Sequence, residues 1–324
     1  MEKPVDRPIN VMAFLDGRPG HEKQTKGILN AMGRLTAMDV AYKKVVPGNL
    51  SGSIKDWSTF LWSKVNPAKP DVQSSDIDLI MGTGAYTHIP ILLLKRSCGA
   101  KAVTSMCPAL PLIREFDLCF IPQHDGVKPK DNILVTLGPP NSAVSLGRHQ
   151  HNRGLILVGG VDRKSHYWNP DELLDRIRLI LKKEPAMEWT VSSSPRTPPE
   201  TAQQLDRLVS QERNASFYPS EATPAGWIEE QYAINQRVWV SADSVSMVYE
   251  AVSAGCSVGI LPVDWKRKTG KIRKGIDYLL ANGWAVSFEH WRSGIDMKVP
   301  DTRVDEAGRC AQEILKRWWP GRLE

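Results

Sequence analysis

No part of this 324-residue chain is apolar for long enough to cross a bilayer. A spanning helix needs about 18 to 20 such residues, and the strongest run, Ile89 to Leu94, stops far short of that. The amino terminus is polar and proline-bearing, without the apolar centre of a secretory leader, so a cytosolic protein is expected. Cysteine is scarce as well. The five thiols, Cys98, Cys107, Cys119, Cys256 and Cys310, are odd in number and show no paired spacing. That argues against a disulfide framework and against a cysteine-built zinc site; most of them lie in apolar runs and are expected to be buried. The chain does not open with a Gly-x-Gly-x-x-Gly fingerprint or a Tyr-x-x-x-Lys dyad, which disfavours an epimerase.

What is present begins with size and charge. A length of 324 residues fits two domains at roughly 150 residues each, and 41% apolar with 24% charged residues is ordinary for globular proteins. The net charge is +6, concentrated at Lys266, Arg267, Lys268, Lys271, Arg273 and Lys274 and again at Lys316, Arg317 and Arg322 beside Trp318 and Trp319. Basic residues next to paired tryptophans suit an anionic membrane surface; an ordinary solvated basic face is the plainer alternative. No recognised nucleic-acid module accompanies them, so no nucleic-acid partner is expected.

Apolar β-runs and helical periods alternate along the chain. Strands are expected at 10–16, 77–81, 102–106, 118–121 and 133–137, then at 155–158, 188–192, 215–218, 238–240, 257–262 and 284–288. Helices are expected after 21 and after 84, then at 170–183, 198–212, 224–234, 244–254, 270–281 and 302–318. Residues 41–75 show no clear period and receive no element. The Pro-, Asn-, Ser- and His-rich stretch 139–153 reads as a linker. Alternation on both sides of it implies an α/β protein with two parallel-sheet domains facing a cleft. The expected boundaries are 1–145, 153–300, and a C-terminal helix within 301–324 that packs back on the first domain.

In open parallel sheets, ligands gather at the carboxyl ends of strands, and the polar turns there supply the candidates. After the first strand come Gly17, Arg18, Pro19, Gly20 and His21, a tight turn that lets a ligand approach backbone; His21 is a candidate general base or a simple cap. Gly82-Thr83-Gly84 follows the next strand, and Gln123-His124-Asp125-Gly126 follows a buried one, where His124 and Asp125 either touch substrate or close the turn. Asp76 and Asp78 precede their strand instead of following it and read as solvated; no metal and no cofactor are expected. In the second half, three strand-end loops offer anion contacts: Gly159-Gly160, Ser192-Ser193-Ser194-Pro195-Arg196-Thr197, and Asp243-Ser244. A helix opening at Ser244 presents free N–H groups, and Asp243, Ser246, Glu250 and Ser253 fall on one of its faces at about 100° per residue. Glu250 could accept hydrogen bonds from a sugar diol such as ribose.

These residues resemble a known family, the plant mitochondrial-fission (elongated-mitochondria) proteins and their bacterial relatives. The resemblance runs through Asp16-Gly-Arg-Pro-Gly-His21 with Gln24, Phe116-Asp117-Leu118 to Pro122-Gln123-His124-Asp125, and Gly138-Pro-Pro-Asn141. It continues in Gly159-Gly160, Ser194-Pro-Arg196-Thr197, and Ser241-Ala-Asp243-Ser-Val-Ser-Met247 with Glu250-Ala251. Bacterial members look like glycosyltransferases with two Rossmann-like domains (GT-B-like). The Gly17-to-His21 turn and the Ser244-to-Glu250 helix also resemble the GlcNAc transferase of peptidoglycan lipid-intermediate synthesis.

The resemblance implies a transferase that takes a sugar from a nucleotide-sugar donor to a glycan or lipid-linked acceptor, such as a lipopolysaccharide or other cell-envelope glycan. The enzyme would be cytoplasmic and peripheral on the inner membrane face. The donor would meet Gly159, Gly160, Ser194, Arg196, Thr197, Asp243, Ser244, Ser246 and Glu250, and the acceptor Gly17, Arg18, Gly20, Gly82 and Thr83. His21 is the first choice of base, with His124 or Asp125 the second, and cleft closure would exclude water. The alternative is a non-catalytic adaptor that recruits a membrane-remodelling partner, as the plant relatives do; the retention of Arg196, Asp243, Ser246 and Glu250 favours chemistry.

Overall fold

The computed structural model describes residues 7–45, 58–60, 62, 76–267, 269–300 and 302–323. Most of 41–75, and Lys268 of the basic stretch, lie outside the described residues. The chain divides into two compact units, Met1–Ser142 with Asp305–Glu324, and Ala143–Val304.

The first unit is a parallel sheet. The elements run β1 (Ile9–Leu15), α1 (Pro19–Gly33), β2 (Met38–Lys44), β3 (Leu79–Thr83), α2 (Ala85–Cys98), β4 (Lys101–Ser105), α3 (Leu110–Ile113), β5 (Leu118–Pro122) and β6 (Ile133–Thr136). The strand order is β2-β1-β3-β4-β5-β6, with every pairing parallel. β3 and β5 are apolar runs buried on both faces, and β4 is buried after Lys101, as a helix-covered parallel sheet requires. β2 has no such signature. Its sequence, MDVAYKK, is mostly exposed at the sheet edge, and polarity there hides a strand from a hydrophobic reading.

The second unit repeats the plan. It contains β7 (Gln150–Leu157), β8 (His166–Tyr167), α4 (Pro170–Lys183), β9 (Glu188–Ser192), α5 (Pro199–Val209), β10 (Ala215–Tyr218), α6 (Trp227–Ile234) and β11 (Asn235–Ser241). α7 (Val245–Ser253), β12 (Ser257–Leu261), β13 (Asp264–Trp265), α8 (Lys271–Ala281), β14 (Val286–Ser287) and α9 (Phe288–Arg292) complete it. Six strands form a parallel sheet in the order β10-β9-β7-β11-β12-β14, and β8 and β13 make a separate antiparallel pair. β7 starts at Gln150, inside the stretch read as linker, because the polar residues Gln150 to Arg153 extend the strand at its exposed end. α4 is set by its pattern. Asn169 caps it by accepting from the Glu172 N–H at 3.3 Å, and Leu173, Leu174, Ile177, Ile180 and Leu181 form the buried stripe.

Two strand glycines have a steric reason. Gly154 of β7 lies opposite Trp189 of β9, and Gly259 of β12 opposite Trp239 of β11. A Cβ at either glycine would run into the indole beside it. Both indoles are essentially fully buried and anchor the core with Phe288 and Trp291.

After the second unit the chain returns to the first as α10 (Glu306–Trp318). Asp305 caps it from 2.7 Å, and Ala307, Cys310, Ala311, Ile314 and Leu315 pack with α1 and β1. Trp318 and Trp319 are half-buried against the same cluster, edge to face at 6.1 Å. No helix of the described residues is long and apolar enough to cross a membrane.

Candidate functional site

In the first unit the candidates follow the carboxyl ends of neighbouring strands. β1 is followed by Asp16, whose carboxylate is wholly enclosed. One oxygen accepts from the Arg18 N–H at 3.1 Å, and the other lies 2.7 Å from Nδ1 of His21, in the first turn of α1. An ionised carboxylate only accepts, so the neutral imidazole donates from Nδ1 and leaves Nε2 as the basic nitrogen. Gly84, at φ +92°, makes room for this: a Cβ there would strike the His21 ring. His88 of α2 is buried nearby, edge-on to Phe116 at 5.5 Å; burial, and then the neighbouring His21, push its pKa down to about 4.

The remaining candidates of this unit sort by exposure. Gly17, Arg18 and Gly20 are exposed, with the Arg18 guanidinium 5.0 Å from the Tyr86 ring centre. Gly82 and Thr83 are buried inside β3. A Cβ on Gly82 would stand 3.0 Å from the Phe14 carbonyl and from α2, and the Thr83 hydroxyl is 2.8 Å from that of Thr25. These two shape the ground beneath the turn. His124 and Asp125 occupy the short 3-10 turn Gln123–Asp125 after β5. β5 is three strands from β1, roughly 14 Å at the usual spacing, so they are not at the His21 position. Asp78 is spent on structure, paired with Arg7 at 2.7 Å and accepting from the Asn10 N–H.

In the second unit the three candidate loops follow β9, β7 and β11, which are adjacent, and they meet. Arg196 Nη2 donates to Asp243 Oδ2 at 2.9 Å and to the Ser244 hydroxyl at 3.0 Å. The Gly160 N–H donates to the same Asp243 oxygen at 3.0 Å, and the Gly159 N–H to the Ser241 hydroxyl at 2.7 Å. Both glycines are obligatory: a Cβ on Gly159 would overlap the Asp243 carboxylate, and one on Gly160 the Arg196 carbonyl. Ser194 and Thr197 brace the turn. Thr197 Oγ1 accepts from the Ser194 N–H at 2.8 Å and donates to the carbonyls of Val158 and Gly159. Because the Ser244 hydroxyl is drawn to Arg196 and Asp243, it does not cap α7. The first-turn N–H groups, which any helix leaves without internal acceptors, thus keep no side-chain cap.

Ser246 is exposed in that first turn, whereas Glu250 is only 4% exposed. Glu250 lies beside the fully enclosed Tyr232, whose phenol is pushed well above its ordinary range by burial first and then by the Glu250 charge. The shared helix face therefore runs from solvent at Ser246 into the interior at Glu250. Among the described residues no group of three or more His, Cys, Asp or Glu side chains is placed to hold a metal ion.

Sequence reasoning gave Asp16 no role. Its signals were its place, an acidic residue closing the buried strand NVMAFLD, and its membership of the Asp16-to-His21 motif. Met106, the one non-glycine residue at positive φ among the described residues, follows β4 at the same end of the sheet and carried no signal at all.

Two six-stranded parallel sheets, each with strand-end loops as described, define a GT-B-like α/β protein of the type found in glycosyltransferases and nucleotide-sugar epimerases. The chain belongs to the mitochondrial fission ELM1 family, whose profile matches residues 19–318. No curated protein matches it in sequence. Among solved structures it is similar to a candidate UDP-N-acetylglucosamine 2-epimerase of Listeria monocytogenes, at 14% identity, 95% of each chain and TM-score 0.62. It is also similar to the glycotransferase of kitacinnamycin, at 11% identity, 96% of this chain, 100% of that one and TM-score 0.52. The UDP-GlcNAc 2-epimerase of Neisseria meningitidis bound to UDP-GlcNAc matches at 14% identity, 95% and 99% coverage, and TM-score 0.50. At such identities the likeness is one of fold. It covers epimerases and glycosyltransferases alike.

Proposed function

We propose that this protein is a metal-independent glycosyltransferase that binds a nucleotide-diphosphate sugar at the second unit and a glycan or lipid-linked acceptor at the first. The observation that carries this reading is the meeting of the loops after β9, β7 and β11 around Arg196, Asp243 and Ser244. Such a junction offers a diphosphate the uncapped start of α7 and the outer edge of a half-exposed guanidinium. In the reaction the bond between the anomeric carbon and the diphosphate oxygen breaks, and a bond to the acceptor oxygen forms. The acceptor proton passes to Nε2 of His21, which Asp16 holds in the required tautomer.

Gly17, Arg18 and Gly20 are the exposed part of the acceptor surface in this proposal, and Gly82 and Thr83 its buried support. Glu250 would meet the ribose only through a change of its present setting beside Tyr232. The enzyme would work at the cytoplasmic membrane face. Of the C-terminal basic residues Lys316 is the one that supports that location. Arg317 is paired with Glu313 at 2.6 Å, Arg322 donates to the Thr36 hydroxyl at 3.0 Å and to the Arg7 carbonyl, and part of each of the Trp318 and Trp319 indoles is packed inward.

The test is calorimetric titration of UDP, GDP, CMP and their sugars against the wild-type protein, followed by product analysis with and without added glycan acceptors. Binding of at least one donor, with transfer only when acceptor is present, is the expected result. Epimerised sugar without any acceptor would favour the 2-epimerase reading suggested by the fold. Absence of nucleotide binding, with capture of a membrane-remodelling protein, would favour the adaptor.

A further inference from the structure

A diphosphate brings about two negative charges to its site and gains another as it departs, so the charge already present at the three-loop junction decides whether it is held. Arg196 offers the diphosphate N–H donors but no net charge. Its Nη2 is 2.9 Å from the enclosed Asp243 carboxylate, and this ion pair is neutral as a unit. The start of α7 contributes only about half a positive charge. The junction thus presents hydrogen-bond donors and little net positive charge.

Cations stand next to it. β7 and β12 flank β11 on either side in the sheet. The segments that follow them are tied together as β8 and β13, with Asp264 opposite Tyr167 and Trp265 opposite His166. This clamp lies beyond the carboxyl ends of the two strands that flank β11, beside the start of α4. It is rigidly built. The Lys266 N–H donates to the Ser165 carbonyl at 2.9 Å, Lys266 Nζ donates to the Arg163 carbonyl at 2.7 Å, and the same ammonium sits 4.7 Å from the Tyr167 ring centre. Beneath it His166 is buried between Trp168 and Trp265, with Nδ1 2.8 Å from the Ser165 hydroxyl.

The clamp is joined to the junction directly, because the Val161 N–H donates to the Arg196 carbonyl at 3.1 Å. Of its charged side chains, Asp162 and Asp264 are negative, and Arg163, Lys164, Lys266 and Arg267 positive. Lys266 is used internally and Asp162 accepts from the Lys164 N–H at 2.9 Å. The side chains of Arg163, Lys164 and Arg267 are exposed and form no ion pair or hydrogen bond among the described residues. Unpaired cations held on a braced loop pair beside a neutral anion cradle have a definite electrostatic use.

We propose that Arg163, Lys164 and Arg267, carried on the β8–β13 clamp, neutralise the diphosphate of the nucleotide donor, while Arg196 acts as a strut that fixes the three loops. The inference rests on the donor site proposed above. It adds the residues that would supply its charge.

The experiment compares uridine, UMP and UDP by calorimetry at low and high salt, with GDP and GMP or CDP and CMP beside their nucleosides if those bind better. The proteins are wild type, Arg163→Gln/Lys164→Gln, Arg267→Gln, and Arg178→Gln on the far surface of α4 as control, each checked for an unchanged melting temperature. We expect diphosphate affinity to fall about tenfold per cation removed, as for a charge-assisted contact. Its salt dependence should flatten, and nucleoside binding should stay constant. A loss no greater than in Arg178→Gln, or an equal loss for nucleoside and diphosphate, would overturn the clamp and leave the donor site standing. If wild type binds none of these nucleotides, the donor site itself is wrong and the clamp falls with it.

Discussion

Nδ1 of His21 lies 2.7 Å from an enclosed oxygen of Asp16, and the glycine at position 84 is what lets the ring lie there. The pairing fixes which imidazole nitrogen is free. In wild type, 15N NMR of the imidazole at neutral pH should show the Nδ1–H tautomer, and Asp16→Asn should show a mixture. Transfer activity in Asp16→Asn should drop about a hundredfold, within the range for general base catalysis, with donor affinity unchanged. An unaltered tautomer would show that Asp16 does not orient the ring.

Removing Arg196 strands the Asp243 carboxylate, which has no exposure of its own. Arg196→Ala should destabilise the protein by about 1–3 kcal/mol, less than a fully buried pair because the guanidinium is half in solvent. Adding Asp243→Asn should recover part of that loss. Chemical denaturation of the two single variants and the double variant measures the coupling; strictly additive losses would mean that the two side chains do not act as a pair.

The two glycine turns differ in what they demand. Gly160→Ala forces its methyl into the Arg196 carbonyl, so the loops must part, costing about 1–3 kcal/mol and abolishing nucleotide binding. Gly17→Ala meets open space and strains only a φ of +77°, at about 1 kcal/mol. Melting temperatures and nucleotide titration of both variants check this ordering. Equal effects would contradict it.

Acid should destabilise the first unit through His88. Burial, with His21 nearby, lowers its pKa to about 4 from 6.5 in the unfolded chain. Between those values the unfolded state binds the extra proton, so stability is present above pH 6.5 and is lost as the pH falls toward 4. At 1.36 kcal/mol per pKa unit the full effect is about 3 kcal/mol. His88→Phe should therefore lose less stability than wild type when denaturation is compared at pH 7 and pH 5. An identical pH dependence would remove His88 as the cause.

Thiol reactivity should divide the cysteines by burial. Cys119 and Cys256 have their pKa values pushed up to about 12, by burial first, and Cys310 is enclosed in the first unit's core. A thiol reagent at neutral pH should label Cys98 and Cys107, which are partly exposed, and reach the other three only after unfolding. Counting labelled sites by mass spectrometry decides it.

The sequence by itself determined the elements whose signal is local. The stripe Leu173 to Leu181, the buried runs at β3 and β5, and the turn chemistry at Gly159-Gly160 and Asp243-Ser244 are properties of neighbouring residues, and periodicity exposes them. It also placed the candidate loops at strand ends, since β–α alternation implies parallel strands and parallel strands put their exits at one end. Only the tertiary structure decided that Arg196 and Asp243 neutralise each other, that Asp16 belongs with His21, and that Gly82, Thr83 and Glu250 lie inside. The Arg196–Asp243 pair and the burial of Gly82, Thr83 and Glu250 depend on which elements stand side by side, and the Asp16–His21 pair on the path of the turn between them and the room left by Gly84. Neither the neighbouring elements nor that room is written in any local pattern. The clamp is the clearest case: His166–Tyr167 and Asp264–Trp265 are too short to read as strands and acquire their pairing only because β7 and β12 flank β11.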